Sequence, residues 1–327
     1  MQQITVSSRD AGQRLDRFLG KYMPEAPKSF FYKMLRRKNI TLNGKKAAGM
    51  EKLEENDTIK LFLSEETIEK FRGSHSVNGV QGSLDIIYED GEILAVNKPL
   101  GMLSQKAARD DISLVEYLEA YISAKESDAF DSGFRPGICN RLDRNTTGIV
   151  IAGKSVGSLQ YMNRMFRERA VDKRYLCLVK GRVDERVQAN GFLTKDTRHN
   201  RVYVSDVEKE GAVRIETAYE PLEYAAFQGE CYTLLGVHLI TGKSHQIRAH
   251  LKSMGHPIVG DTKYGEKNIY HLFKKNFGVR YQLLHAWKLQ FGEVDYIPEQ
   301  YRGMCLRAPL PDVFCRVLQG IGMEFSS

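Results

Sequence analysis

The hydrophobic patterning of this chain stops between Ser64 and Gly82, and that break limits what the segments on either side can form. Gly73, Ser74, Ser76, Asn78, Gly79 and Gly82 crowd into it, a composition that builds neither a helix face nor a strand face. The expected organisation is a small module over 1–63, a flexible linker over 64–82 and a larger domain over 83–320. A chain of 327 residues suits such a division, because single hydrophobic cores stop growing well before that length.

In the small module Leu15, Phe18, Leu19 and Tyr22 recur at i, i+3, i+4 and i+7, the stripe of an amphipathic helix. A second helix is expected from Lys28 or Ser29, with Phe31, Met34 and Leu35 turned inward and Lys33, Arg36 and Arg37 on the wet side. Asn39 is expected to close it in a left-handed conformation. Asn43-Gly44 marks a two-residue hairpin turn, and 58–63 a closing strand. Residues 1–63 hold 13 Lys and Arg against 7 Asp and Glu, a local excess of six out of a net +7 for the whole chain. Such concentrated charge suits a polyanionic partner, although it also serves solubility.

Beyond the break, "LDIIYEDGEILAVNKPLG" predicts two strands around Asp90-Gly91. Further strands are expected at 148–152, 174–179, 213–219 and 232–239, and helices at 155–169 and about 245–253. Strands outnumber helices and alternate with them irregularly, so the expected class is α+β with a largely antiparallel sheet.

Several chemistries can be set aside. Apolar runs such as 149–152 are far shorter than the roughly 20 residues of a membrane span. No charged leader precedes an apolar core, so cytoplasmic residence without a membrane partner is expected; the expected oligomeric state is a monomer. The five cysteines are scattered and none forms a Cys-x-x-Cys pair, which argues against a disulfide framework or zinc knuckle. His245 and His250 are five apart with no glutamate between them, so the metallopeptidase helix spacing is missing and no metal is expected. Gly148 to Ser155 matches the phosphate-loop pattern letter for letter. Its four intervening residues, Ile, Val, Ile and Ala, read as a strand and not as a loop of amides curled around phosphate, so no nucleotide cofactor is expected.

The segment "ICNRLDRNTTGIVIAGKS" places Asp143 between Arg141 and Arg144, just before polar turn residues and an apolar strand. An acid at such a junction can point into a cleft, and neighbouring guanidinium groups would keep it ionised. By itself the pattern also fits an ordinary surface ion pair.

Three further segments, "VNKPLGMLSQ", "DKRYLCLVKG" and "LITGKSHQIRAHLKSMGHPIVGD", stand with "NRLDRNTTG" in an order and at separations that resemble the RluA family of pseudouridine synthases, and within it the RluC branch. The segment "PKSFFYKMLRRKNITLNGKK" resembles the RNA-binding domain named after ribosomal protein S four. Together these resemblances cover about 13–63 and 83–310. They imply a pseudouridine synthase catalytic domain, a mixed sheet flanked by helices, carrying a small αα-β RNA-binding domain. The implied activity is isomerisation of uridine in structured RNA, in the RluC branch that of the large ribosomal subunit, with transfer RNA a less favoured substrate. No cofactor is implied.

The resemblance assigns the nucleophile to Asp143, the active-site tyrosine to Tyr175, the arginine paired with the aspartate to Arg248, and the arginine that enters the RNA stack to Arg141. It also sets Lys28, Lys33, Arg36, Arg37 and Lys38 against RNA backbone. Asn140, Asn145, Thr147, Lys243 and Gln105 depart from the family's usual residues, which bears on RNA contacts more than on the reaction. A ribosome-assembly protein that keeps this fold without needing catalysis is the competing expectation, and the intact set of four catalytic residues disfavours it.

Overall fold

The computed structural model describes residues 1–72, 80, 83–108, 110–125 and 134–325. The chain divides into two compact units. One comprises Met1–Ala95, Gln105–Asn140 and Ile151–Arg164, the other Val96–Ser104, Arg141–Val150 and Met165–Ser327.

The first unit opens with β1 (Gln2–Thr5), α1 (Leu15–Tyr22), α2 (Lys28–Arg36), β2 (Ile40–Leu42), β3 (Lys45–Lys46), β4 (Thr58–Leu61) and α3 (Glu65–Arg72). The strands form an antiparallel sheet in the order β1-β4-β2-β3. Leu15, Phe18, Leu19 and Tyr22 of α1 and Phe31, Met34 and Leu35 of α2 are buried together against it, as the helical spacing predicts. Asn43 (φ 51) and Gly44 (φ 72) both take positive φ, which is what a two-residue turn needs to match the twist of the strands it joins.

Two expectations change here. The left-handed residue after α2 is Lys38 (φ 61) and not Asn39. The helix ends at Arg36, so the amides of Lys38 and Asn39 fold back onto the carbonyls of Leu35 and Met34 at 3.1 and 2.9 Å, the 5→2 and 6→1 bonds of a Schellman motif. Residues 65–72, expected to begin a flexible linker, form α3, because Ile68 is buried in the amino-terminal core and Phe71 packs against it. Residues 73–79, 81 and 82 of that stretch lie outside the described residues.

The chain continues through β5 (Ile86–Glu89), β6 (Ile93–Lys98), α4 (Leu114–Lys125), β7 (Gly137–Ile138), β8 (Thr147–Gly153), α5 (Val156–Arg167), β9 (Val171–Lys180), β10 (Val187–Asp196), β11 (Arg201–Ser205), β12 (Val213–Phe227), β13 (Glu230–Leu239), α6 (Gln246–Ser253), α7 (Lys267–Phe277), β14 (Leu284–Phe291), β15 (Cys305–Arg307) and α8 (Asp312–Gly320). In the second unit the strand order is β11-β10-β12-β13-β9-β14-β8, with β15 also on β14. Its pairings are antiparallel except for β14 with β8, so the class is α+β with a largely antiparallel mixed sheet. Leu176 and Leu178 of β9 and Tyr232 and Leu234 of β13 pack with Phe273 of α7 and with Phe314, Val317 and Leu318 of α8. The two-residue period of a strand turns Tyr175 and Cys177 to the opposite face.

The segment with phosphate-loop spelling is β8, buried along its whole length. The ammonium of Lys154 bonds Glu89 Oε1 at 3.0 Å and the Asp90 carbonyl at 2.8 Å.

Gly148 is required by the parallel pairing. At φ +112 it lies opposite Ala286, and a Cβ there would overlap the Ala286 carbonyl and amide nitrogen. That φ is nearly closed to L side chains, and the obstacle is main chain, which cannot swing aside. Gly148→Ala is therefore expected to cost about 3 kcal/mol or more, read as a lowered urea midpoint. A midpoint equal to the parent's would show that this close approach does not hold the two strands. Beside it, the Thr147 hydroxyl bonds the buried His285 Nδ1 at 2.8 Å. Burial pushes the His285 pKa down to about 4, so the ring is neutral near pH 7.

Candidate active site

Asp143 lies in the loop that leads into β8, where the Thr146 amide donates to the Asp143 carbonyl at 3.0 Å. A second loop, entered from β6, clasps it. Ser104 Oγ donates to the Leu142 carbonyl at 2.8 Å and accepts the Leu142 amide at 3.1 Å. Arg144 Nε donates to the Gly101 carbonyl at 3.0 Å, and the Gly101 amide to the Arg144 carbonyl at 3.1 Å.

Lys98 tightens the clasp. Its side chain is fully buried, and Nζ donates to the carbonyls of Pro99, Met102 and Arg144 at 3.1, 2.8 and 3.2 Å. Burial lowers its pKa to about 8 against the opposing pull of Asp143, which leaves a cation near pH 7. An ammonium has three donors and no acceptor, so three carbonyls satisfy it, and its charge lies close enough to be felt at Asp143. The sequence marks this segment as a motif without pointing to Lys98 as a cation, since a lysine beside a proline reads as a surface residue until the loops are closed around it.

The carboxylate of Asp143 is partly exposed, at 26%, and its Oδ2 accepts a hydrogen bond from Arg248 Nη1 at 2.9 Å. Arg248 comes from the first turn of α6 and is itself clamped. Its Nε and Nη2 donate to the two oxygens of Asp261 at 2.7 and 3.0 Å, a fork-to-fork pair on a carboxylate whose side chain is 0% exposed. Asp261 also accepts the amides of Lys263 and Tyr264 at 2.8 and 3.0 Å. Burial opposes the charged guanidinium, yet the ion pairs with Asp261 and Asp143 outweigh it and raise the Arg248 pKa. The Tyr264 ring lies 5.1 Å from the guanidinium carbon.

The turn before α6 is held by Gln246, which is buried. Its amide oxygen accepts from Thr241 Oγ1 and from the Lys243 amide at 3.0 and 3.1 Å, and its amide nitrogen donates to Thr217 Oγ1 and the Glu216 carbonyl at 2.9 and 3.1 Å. That anchoring sets His245 at the helix entrance with φ +56, its Nε2 3.8 Å from Asp143 Oδ2 and its Nδ1 3.0 Å from the Tyr264 hydroxyl.

Tyr175 is 6% exposed in β9, opposite Val237 and Ala286. Burial, then the charge of Asp143, raise its pKa, so it stays a phenol near pH 7. Arg141 is exposed, and its side chain has no hydrogen-bond or ion-pair partner among the described residues. The structure thus brings Asp143 and Arg248 into direct contact, sets Tyr175 within electrostatic range of Asp143, and leaves Arg141 free at the surface of the same loop. Lys28, Lys33, Arg36, Arg37 and Lys38 belong to the first unit, all exposed on α2 and the turn after it. Sequence reading missed Asp261, Tyr264, Lys98 and His245. "HQIRAH" and "PIVGDTKY" are separate stretches whose partners meet only on folding.

Among the described residues no group of three or more His, Cys, Asp or Glu side chains is placed to hold a metal ion, and no helix is long and apolar enough to cross a membrane.

Residues 92–253 match the RNA pseudouridylate synthase family model. The chain is 31% identical over 292 residues to the uncharacterized RNA pseudouridine synthase MG370 of Mycoplasma genitalium, covering 89% of both chains. It is 30% identical over 321 residues to ribosomal large subunit pseudouridine synthase C of Escherichia coli K12, covering 97% of this chain and 95% of that one. Among solved structures, human RNA pseudouridylate synthase domain containing 4 superposes with a TM-score of 0.56 at 21% identity, over 74% of this chain and 94% of that one, and shares the fold. Identity at this level along nearly the whole chain, with the four sequence motifs folded around one carboxylate, shows that the protein belongs to the RNA pseudouridylate synthase family and is an RNA uridine isomerase.

Proposed function

We propose that this enzyme isomerises specific uridines of large-subunit ribosomal RNA, with Asp143 as the catalytic carboxylate and the target base turned out of its helix. The supporting observation is the Asp143 carboxylate itself, partly open to solvent and held at 2.9 Å by an arginine that a buried aspartate locks in place. The relatives named for the ribosomal large subunit cover 97% of the chain, which favours that RNA as substrate.

In the reaction the bond from N1 to C1′ breaks, the uracil turns, and C5 bonds to C1′. The C5 proton leaves and N1 gains one, so the product is an isomer of the substrate and no oxidant or reductant is consumed. The carboxylate serves whether it attacks C1′, attacks C6 or removes a ribose proton, and it is regenerated at the end. Unstacking the base costs a few kcal/mol. Arg141, exposed beside Asp143, fills the gap left in the RNA helix. Tyr175 stacks on the extruded uracil, a contact worth about 1 to 3 kcal/mol, and its raised pKa favours stacking over a role as base. The amino-terminal module adds phosphate contacts through Lys28, Lys33, Arg36, Arg37 and Lys38, which fix orientation without reading sequence.

Carbodiimide mapping of large-subunit ribosomal RNA from cells with and without the gene tests this. Loss of defined pseudouridines on deletion, restored by the wild-type gene, is the expected result. An unchanged map in large-subunit RNA with losses in transfer RNA would overturn the substrate. An unchanged map throughout, with immature large subunits accumulating, would point to an assembly role.

A further inference from the structure

We propose that His245 is a positioning residue for this reaction: held by Tyr264, it donates its Nε2 proton toward Asp143 Oδ2 and so leaves Oδ1 as the oxygen presented to the uridine. This role rests on Asp143 being the catalytic carboxylate.

The hydrogen-bond partners assign the ring its tautomer. The Val202 amide of β11 donates to the Tyr264 oxygen at 2.9 Å. Among the described residues the one acceptor for the Tyr264 hydroxyl proton is His245 Nδ1, at 3.0 Å. Nδ1 is therefore an acceptor, and a neutral imidazole with an accepting Nδ1 carries its hydrogen on Nε2. Burial lowers the His245 pKa against the pull of Asp143, with Arg248 and Lys263 adding to the lowering and Asp261 opposing it, so the neutral form prevails near pH 7.

That hydrogen has one carboxylate in front of it. Nε2 is 3.8 Å from Asp143 Oδ2, the oxygen that already accepts from Arg248. The gap is longer than a hydrogen bond, and catalytic contacts commonly tighten when substrate closes the site. A single donor leaves the carboxylate free to turn about its Cβ–Cγ bond. A second donor drawn onto Oδ2 opposes that rotation. Oδ1 has no hydrogen bond among the described residues, so it is the oxygen left for the substrate.

The backbone supports the same conclusion. His245 sits at φ +56, ψ 13 with its side chain 12% exposed. A residue with a β-carbon is strained in that region relative to glycine. Packing that holds an imidazole there despite the strain aims it at one atom.

The test uses the full-length enzyme and a large-subunit ribosomal RNA transcript labelled with tritium at uracil C5, whose release reports the isomerisation. The variants are His245→Gly, which removes the ring and the strain together, His245→Gln, which keeps an N–H near the Nε2 position, and Tyr264→Phe. Expected for His245→Gly is a single-turnover rate reduced about 10- to 100-fold, with RNA affinity within twofold of wild type and an unchanged melting temperature. His245→Gln should recover most of the rate. Tyr264→Phe should lower the wild-type rate yet add nothing to His245→Gly, since both act along one path. A His245→Gly rate within twofold of an active wild type would overturn the positioning role and leave the function standing, as would Gln and Gly variants equally slow with weakened RNA binding. A wild-type enzyme that released no tritium would instead overturn the proposed function, and this role with it.

Discussion

Asp143→Asn is expected to form no detectable pseudouridine, a loss of about 10⁴-fold or more in single turnover, while binding RNA nearly as the parent does. Asparagine has the same shape and can still accept from Arg248 Nη1, so the 2.9 Å contact and the loop around it survive. The amide has neither the charge nor the nucleophilic or basic oxygen that the possible routes to the glycosidic bond require. The effect on stability should be small, within about 1 to 2 kcal/mol, since the side chain is partly exposed and Arg248 keeps its two-point pair with Asp261. Tritium release reads the activity, a gel-shift titration the affinity and a urea melt the stability. Measurable turnover by a pure preparation would end the assignment of Asp143. Lost turnover with lost RNA binding would mean that the carboxylate builds the RNA site and does not act on the base.

The second large effect falls on Arg248, which joins stability to chemistry. Arg248→Met strips the cation from Asp261, a carboxylate with no exposed side-chain surface, and removing one partner of a buried ion pair costs about 3 to 5 kcal/mol. Activity should fall as well, because Asp143 loses its 2.9 Å donor. The two consequences can be separated. Adding Asp261→Asn removes the stranded charge yet keeps an oxygen for the Lys263 and Tyr264 amides, so the double variant should regain about half of the lost stability and none of the activity. Equal recovery of both would contradict a direct role for Arg248 at Asp143.

The same pair carries a pH signature. Burial raises the Asp261 pKa, but Arg248 and the two amides outweigh it and hold it below its ordinary 3.8. With a folded pKa below the unfolded one, the stabilisation is complete above about pH 4 and is lost as the pH falls further. Wild type should therefore lose stability on acidification below pH 4, and the double variant should lose less. Identical acid profiles would show that Asp261 is not the group responsible.

Local order was legible wherever short-range chemistry decides it. The amphipathic stripes of α1 and α2, the Asn43-Gly44 turn and the apolar run of β8 answer to rules that span a few residues, and the structure carries all three. The motif order around Asp143 was equally plain. The strands β10, β11 and β14 were not picked out, because β10 and β11 mix polar with apolar side chains and are only partly covered, and β14 carries His285, Lys288 and Gln290 among its apolar residues, so their faces are set by the strands they pair with. The linker was placed too early for a related reason. Glu65–Arg72 is polar apart from Ile68 and Phe71, and two apolar residues become a helix face only when a core stands ready to receive them.

By itself, then, the sequence determined the elements that short-range patterning decides, and its motif order named Asp143, Tyr175 and Arg248 as members of one candidate site. Only the tertiary structure decided how the carboxylate is held. Asp261 beneath Arg248, Lys98 beneath the Arg144 carbonyl, and Tyr264 behind His245 are each brought to their partners across a chain closure. Their charges and donors become strong there because the folded core excludes the water that would otherwise screen them.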